Sequence, residues 1–184
     1  MDNPLHNLTG EQKDQLLITV DTNGNPTGIA TRAHCHEGDG ITHMAFMAFV
    51  VDGNNNIVLT KRSDTKSLFA KMWDASVVSH VLPAETIEEA AKRRGREELG
   101  IDTHFFNVGA FYYFAKHGSS AENEYCHVLI GKSDEGIFIN PVEISEFKKV
   151  TLEKLLEEGK SNPDLFAPWL LLSLEKIDLA KHIK

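Results

Sequence analysis

Residues 43–51 (His-Met-Ala-Phe-Met-Ala-Phe-Val-Val) form an almost unbroken apolar run of strand length, which predicts a buried strand. Residues 57–61 (Ile-Val-Leu-Thr-Lys) follow as its pairing partner, and Asp52-Gly-Asn-Asn-Asn56 between them is a hairpin signal. Upstream, residues 16–20 (Leu-Leu-Ile-Thr-Val) predict a short strand that ends in the turn Asp21-Thr-Asn-Gly-Asn-Pro26. Residues 108–114 and 125–131 predict two further strands. The clearest helix spans 86–99. Thr86 is its N-cap, Glu89 stands three residues on as in a capping box, and Gly100 stops it. A short helix is expected over 151–158. A closing helix is expected over 163–183, with an apolar face of Phe166, Leu170, Leu174 and Ile177. Strands and helices mix without strict alternation. This favours one α/β domain over residues 1–184, an α/β/α sandwich around a mixed β-sheet.

Composition narrows the function classes. A formal charge of −8 disfavours a nucleic-acid backbone as partner, although a small anion can still bind where cations converge. The two cysteines, Cys35 and Cys126, make no disulfide framework and read as structural thiols. Met1-Asp2-Asn3-Pro4 opens no apolar leader, and no apolar run reaches the roughly 18 residues of a membrane span. A cytoplasmic protein with no membrane partner is expected; the oligomeric state is not legible. Nine histidines are many for 184 residues, which directs attention to metal or proton chemistry.

Residues 79–101 (Ser-His-Val-Leu-Pro-Ala-Glu-Thr-Ile-Glu-Glu-Ala-Ala-Lys-Arg-Arg-Gly-Arg-Glu-Glu-Leu-Gly-Ile) resemble the Nudix box, G-x5-E-x7-R-E-U-x-E-E-x-G-U with U aliphatic. Glu85, Arg93, Glu97, Glu98, Gly100 and Ile101 occupy its defined positions; Ser79, Arg94 and Gly95 depart from it. On its own the helix has a plainer reading, because Arg93 and Glu97 at i,i+4 are a common solvated pair. The rest of the chain strengthens the likeness. Arg94 in place of glutamate is a feature of type I isopentenyl-diphosphate isomerases, and their other landmarks follow in order. Arg32-Ala-His-Cys-His36 with His43-Met-Ala-Phe46 resembles their paired metal histidines, and His80 their third. Lys61-Arg62-Ser-Asp-Thr-Lys66, then Phe69 and Trp73, resembles their basic stretch. Glu122-Asn-Glu124 resembles their E-N-E motif, and Phe166-Ala-Pro-Trp169 a late aromatic motif.

The resemblance implies a Nudix-type sandwich acting on a small-molecule diphosphate. It implies Mn2+, Zn2+ or Mg2+ on His36, His43, His80, Glu122 and Glu124, and a Mg2+ at Glu98 that bridges to the diphosphate. Arg32, Arg62, Lys66 and Arg94 would surround that diphosphate, and arginine forks suit its oxygens. Glu124 would serve as an acid/base group, Tyr113 would assist at the alkene, and Trp169 would face the cation. His6, His34, His104, His117, His127 and His182 receive no role.

One departure is central. The family carries W-T-N-x-x-C-x-H where this chain has Trp73-Asp-Ala-Ser-Val-Val78-Ser-His80, so its cysteine position is Val78. Phe69-Ala-Lys71 also departs from the family's F-P-G or W-P-G. Three readings follow: an isomerase-type enzyme with altered proton chemistry, a Nudix hydrolase of nucleoside or prenyl diphosphates, and a catalytically silent diphosphate-binding protein. Glu97 favours the hydrolase, and Arg94 opposes it.

Overall fold

The computed structural model describes residues 12–183; His6 and the Met1–Pro4 reading lie outside the described residues. In chain order the strands are β1 (Leu16–Val20), β2 (Pro26–Thr31), β3 (His43–Val51), β4 (Ile57–Arg62), β5 (Trp73–Asp74), β6 (Val77–His80), β7 (Phe105–His117), β8 (Ser120–Lys132) and β9 (Ile144–Val150). The helices are α1 (Arg32–His36), α2 (Ile87–Leu99), α3 (Leu152–Ser161) and α4 (Pro168–Lys176). Among the described residues no helix is long and apolar enough to cross a membrane.

β3 is the spine of the sheet. It runs parallel to β8 and antiparallel to β1, β4 and β6, so the sheet is mixed. Its side chains alternate between two cores. Ala45, Met47, Phe49 and Val51 join Cys126, Val128, Leu155, Trp169 and Leu170 on the α3/α4 face. Phe46, Ala48 and Val50 join Leu129, Ala90, Ala91 and Leu99 on the α2 face. Burial on both faces explains the continuous apolar run, since neither side of the pleat meets water. Helices on both faces of a mixed sheet make the α/β/α sandwich expected from the sequence.

α2 starts and stops as its sequence dictates. The Thr86 side chain accepts from the Glu89 N–H, and Glu89 accepts in return from the Thr86 N–H. Gly100 ends it in the left-handed region at φ 68°, where a Cβ is unfavourable.

Elsewhere the architecture corrects the sequence reading. Residues 57–61 pair with β3 as expected, through Val50–Val58 and Val51–Ile57 at the hairpin, but β4 also pairs with β9 along its length and with β5 at Thr60 and Lys61. The strands expected at 108–114 and 125–131 extend to Phe105–His117 and Ser120–Lys132. β2, β5, β6, β9 and α1 were not expected. The closing helix over 163–183 does not form as one piece. Pro163–Leu165 is a 3-10 turn, Phe166 is extended and bridges to Trp73, and α4 begins at Pro168. A proline lacks the N–H needed inside a helix but suits its first turn, so the break falls where Pro168 stands.

Candidate active site

Strand register assembles the centre. On the α3/α4 face, β3 places His43 beside Glu124 of β8, and β7 places Tyr113 opposite the same Glu124. β6 adds His80 opposite Ala45. Glu122 lies two residues before Glu124, on the same face of β8. α1 supplies His36; its N-terminus is capped by the Thr31 hydroxyl, which accepts from the His34 N–H. All six side chains are buried.

Ligand-capable atoms of His36, His43, His80 and Glu122 lie within 4.8 Å of one another. The three imidazole rings are 4.8–5.3 Å apart between centroids. Glu124 Oε1 is 3.3 Å from His43 Nε2 and 3.2 Å from His80 Nε2. Hydrogen bonding fixes two of the tautomers. His43 Nδ1 lies 2.8 Å from the Ile41 carbonyl, which can only accept, so Nδ1 carries the proton. His36 Nδ1 likewise faces the Ala121 carbonyl at 3.1 Å and Glu122 Oε2 at 3.2 Å. A neutral ring then leaves Nε2 as a bare lone pair. His36 Nε2 is buried without a hydrogen-bond partner, and His43 Nε2 points at a carboxylate oxygen. Two lone pairs facing each other repel unless a cation lies between them. These donors therefore fit a divalent ion, with backbone carbonyls orienting the rings from outside.

Without an ion, protons on these Nε2 atoms take its place: burial works to raise the Glu124 carboxyl, but the hydrogen bonds and charge of protonated His43 and His80 outweigh it and hold Glu124 well below the usual range. Its other oxygen accepts the Tyr113 hydroxyl at 2.5 Å. Burial, followed by the Glu124 charge, pushes the Tyr113 phenol well above its ordinary value, so Tyr113 stays protonated.

The expected cations divide into two settings. Arg32 and Lys66 line a cavity of about 940 Å³ together with His36 and Glu143. Arg94 donates from Nε to Glu98 Oε1 at 2.9 Å and from Nη1 to Glu97 Oε2 at 2.8 Å; its Nη2 is 2.9 Å from Glu143 Oε1. Lys66 pairs with the other oxygen of Glu143. Arg62 shares a small space with Lys66, Glu98 and Glu143 and also reaches the aromatic side. It donates to the Phe69 and Leu68 carbonyls at 3.1 and 3.0 Å and to Asp74 Oδ2 at 3.2 Å, and it lies 5.2 Å from the Trp169 ring centroid. Glu98 is buried on α2 in contact with Arg94, and both it and Val78 border a small polar space shared with Lys66, Asp74 and Glu143. Trp169 is 1% exposed, with Tyr113 and Phe69 at 5.9 and 5.2 Å between ring centroids.

Sequence reasoning missed Glu143 and Asp74. Glu143 stands in a loop with no motif, 77 residues from Lys66. Asp74 sat inside the family nucleus but was passed over. Its carboxyl is raised by burial despite the neighbouring Arg62 charge, and Oδ1 accepts from the Trp169 indole at 2.9 Å.

The NUDIX domain family matches residues 41–170. This chain belongs to the NUDIX family. Its Nudix helix is α2, braced by Arg93 donating to Glu85 at 2.5 and 3.0 Å. A Photorhabdus laumondii protein named isopentenyl-diphosphate Delta-isomerase 2 is 39% identical over 85% of this chain and 88% of its own length. A Brevibacterium linens isopentenyl-diphosphate Delta-isomerase is 30% identical over 92% of this chain and 96% of its own length. Within the Nudix proteins, the chain thus belongs to the family of these isomerases. Solved structures bear out the fold. A Deinococcus radiodurans structure superposes with a TM-score of 0.73 at 24% identity, over 89% of this chain and 99% of that one. A MutT protein from Methanosarcina mazei gives 0.63 at 20% identity, over 75% and 94%.

Proposed function

We propose that this chain is a single-domain cytoplasmic enzyme of the isopentenyl-diphosphate isomerase type, with Mn2+, Zn2+ or Mg2+ on His36, His43, His80, Glu122 and Glu124. The observation that carries this reading is the buried chain of contacts from Tyr113 through Glu124 to His43 and His80. An ion in this set would supply fixed positive charge that keeps Glu124 ionised, and a Mg2+ at Glu98 would share the charge of a diphosphate.

The protein's own groups divide the remaining work. Lys66 and Arg94 hold the internal carboxylate Glu143, and a diphosphate entering the cavity that Arg32, Lys66 and Glu143 line would exchange for it. The Tyr113 hydroxyl, which donates to Glu124, would pass a proton to the terminal carbon of an alkene. Positive charge then develops at the tertiary carbon, where the Trp169 indole can offer its π face. The reaction closes when a second group takes a proton from the neighbouring carbon. Val78 has no ionisable group for this step, and Asp74, Glu98 and Glu143 are carboxyls that border the same small space.

A diphosphohydrolase remains the second reading, favoured by Val78. Against it, Glu97 and Glu98 are each paired with arginine rather than gathered into an acidic cluster. Incubation with isopentenyl diphosphate, Mg2+ and Mn2+ separates the two through dimethylallyl diphosphate or released phosphate. The proposal expects isomer formation that falls at least about 100-fold in Glu124→Gln. Equal turnover by that variant would remove Glu124 from the chemistry and sink the reading.

A further inference from the structure

The loop between β4 and β5 carries polar chemistry at one end and an aromatic plug at the other. Lys66, Ser67 and Leu68 border the large cavity, whereas Phe69 turns inward and is only 9% exposed. Its ring stacks edge-on against Trp169 at 5.2 Å and lies 4.7 Å from His117. Trp169 in turn leans on Tyr113, the residue hydrogen-bonded to Glu124. Only Ser67 and Leu68 thus separate Lys66, the cation proposed to face a diphosphate, from the ring that meets the aromatic cluster.

This course costs conformational energy. Phe69 and Lys71 take φ of 50° and 65°, the left-handed region that side chains with a Cβ disfavour. The bonds that hold them there converge on Arg62. Its side chain binds the Leu68 and Phe69 carbonyls, and its backbone accepts from Lys71 and donates to Met72 at 3.1 and 3.0 Å. Asp74 anchors the guanidinium and also receives the Trp169 indole N–H, so one carboxylate fixes both the loop and the indole it covers. Such convergence on a strained, buried ring indicates a position that must be filled in one way.

We infer that Phe69 is the end wall of the hydrocarbon subsite and limits it to a five-carbon chain, with Arg62 and Asp74 as positioning residues that hold the wall in place. This inference rests on the prenyl-diphosphate reading above. The ring removed by Phe69→Ala is comparable in carbon count to one added isoprene unit, so the truncated site should admit the next longer substrate.

The test is calorimetric binding to the Mg2+- and Mn2+-loaded protein, using inorganic pyrophosphate, isopentenyl diphosphate and geranyl diphosphate. Wild type should bind isopentenyl diphosphate more tightly than either pyrophosphate or geranyl diphosphate. Phe69→Ala should improve geranyl binding at least tenfold relative to isopentenyl. Phe69→Leu, which keeps apolar bulk and protects the fold, should shift the same ratio part of the way. An unchanged ratio in both variants overturns the end-wall assignment while leaving the prenyl reading standing. Wild type that binds isopentenyl diphosphate no better than pyrophosphate overturns both.

Discussion

Metal removal should destabilise the fold, by an amount that can be worked out from the donor set. Three imidazoles and two carboxylates are buried in one cluster, and His36 Nε2 has no hydrogen-bond partner there. In the native chain these groups are preorganised; in the unfolded chain they are scattered, so an ion binds the folded state selectively. At a free concentration one hundred times its dissociation constant, such an ion adds about 2.7 kcal/mol. A domain of this size gains about 2–4 °C in Tm per kcal/mol, which predicts a rise of about 5–11 °C between chelated and metal-loaded protein. The assay is differential scanning calorimetry in EDTA and in excess Mn2+ or Zn2+. His43→Leu removes a fully buried imidazole of the proposed ligand set and should abolish most of the increment. Because imidazoles bind metal only when neutral, the increment should shrink as pH is lowered. A wild-type Tm that ignores both chelator and metal would refute the reasoning, as would a full shift retained by His43→Leu.

Three further outcomes follow from the loop and the hairpin. Lys71→Gly should stabilise the protein by about 1 kcal/mol in urea unfolding, because glycine accepts φ 65° without a Cβ penalty; an unchanged or lower midpoint would show that no strain is stored there. Asp74→Ala should cost about 3–5 kcal/mol, since it leaves the buried Arg62 charge and the Trp169 N–H without their carboxylate, and a loss under 1 kcal/mol would contradict the anchoring role. In the hairpin, burial works to raise Asp52, but N–H groups of Asn56 and Asn54 and the Lys149 ammonium outweigh it and hold its carboxyl at about 2. The folded value lies below the unfolded one, so this stabilisation is complete above about pH 4 and is lost as pH falls toward 2. Acid unfolding of Asp52→Asn should therefore lose less stability across that window than wild type does.

Local signals in the sequence proved reliable where one segment decides its own fate. Thr86, Glu89 and Gly100 set both ends of α2, and the apolar run at 43–51 marked the strand that is covered on both faces. The sheet edges were harder to read. β9 buries Ile144 but leaves most of its side chains to solvent, and β2 is largely exposed, so neither carries a strong hydrophobic period. The closing segment misled because Phe166, Leu170, Leu174 and Ile177 share a helical spacing, although Phe166 is extended to meet Trp73. The five proposed ligands were legible as motifs through the family resemblance, and their convergence required the register of β3, β6 and β8. Arg62 shows what a motif leaves out: its place in a basic stretch suggests a phosphate, and only the fold reveals its bonds to two carbonyls and Asp74 and its approach to an indole.

The proposed reaction moves a proton onto and off a five-carbon diphosphate without a cysteine at position 78. It is tested most directly by incubating the Mg2+- and Mn2+-loaded protein with isopentenyl diphosphate in D2O and following the products by NMR. The expected product is dimethylallyl diphosphate carrying solvent deuterium in a methyl group, with none from Glu124→Gln. Release of phosphate from an unlabelled, unisomerised substrate would contradict it and assign the chain to diphosphate hydrolysis.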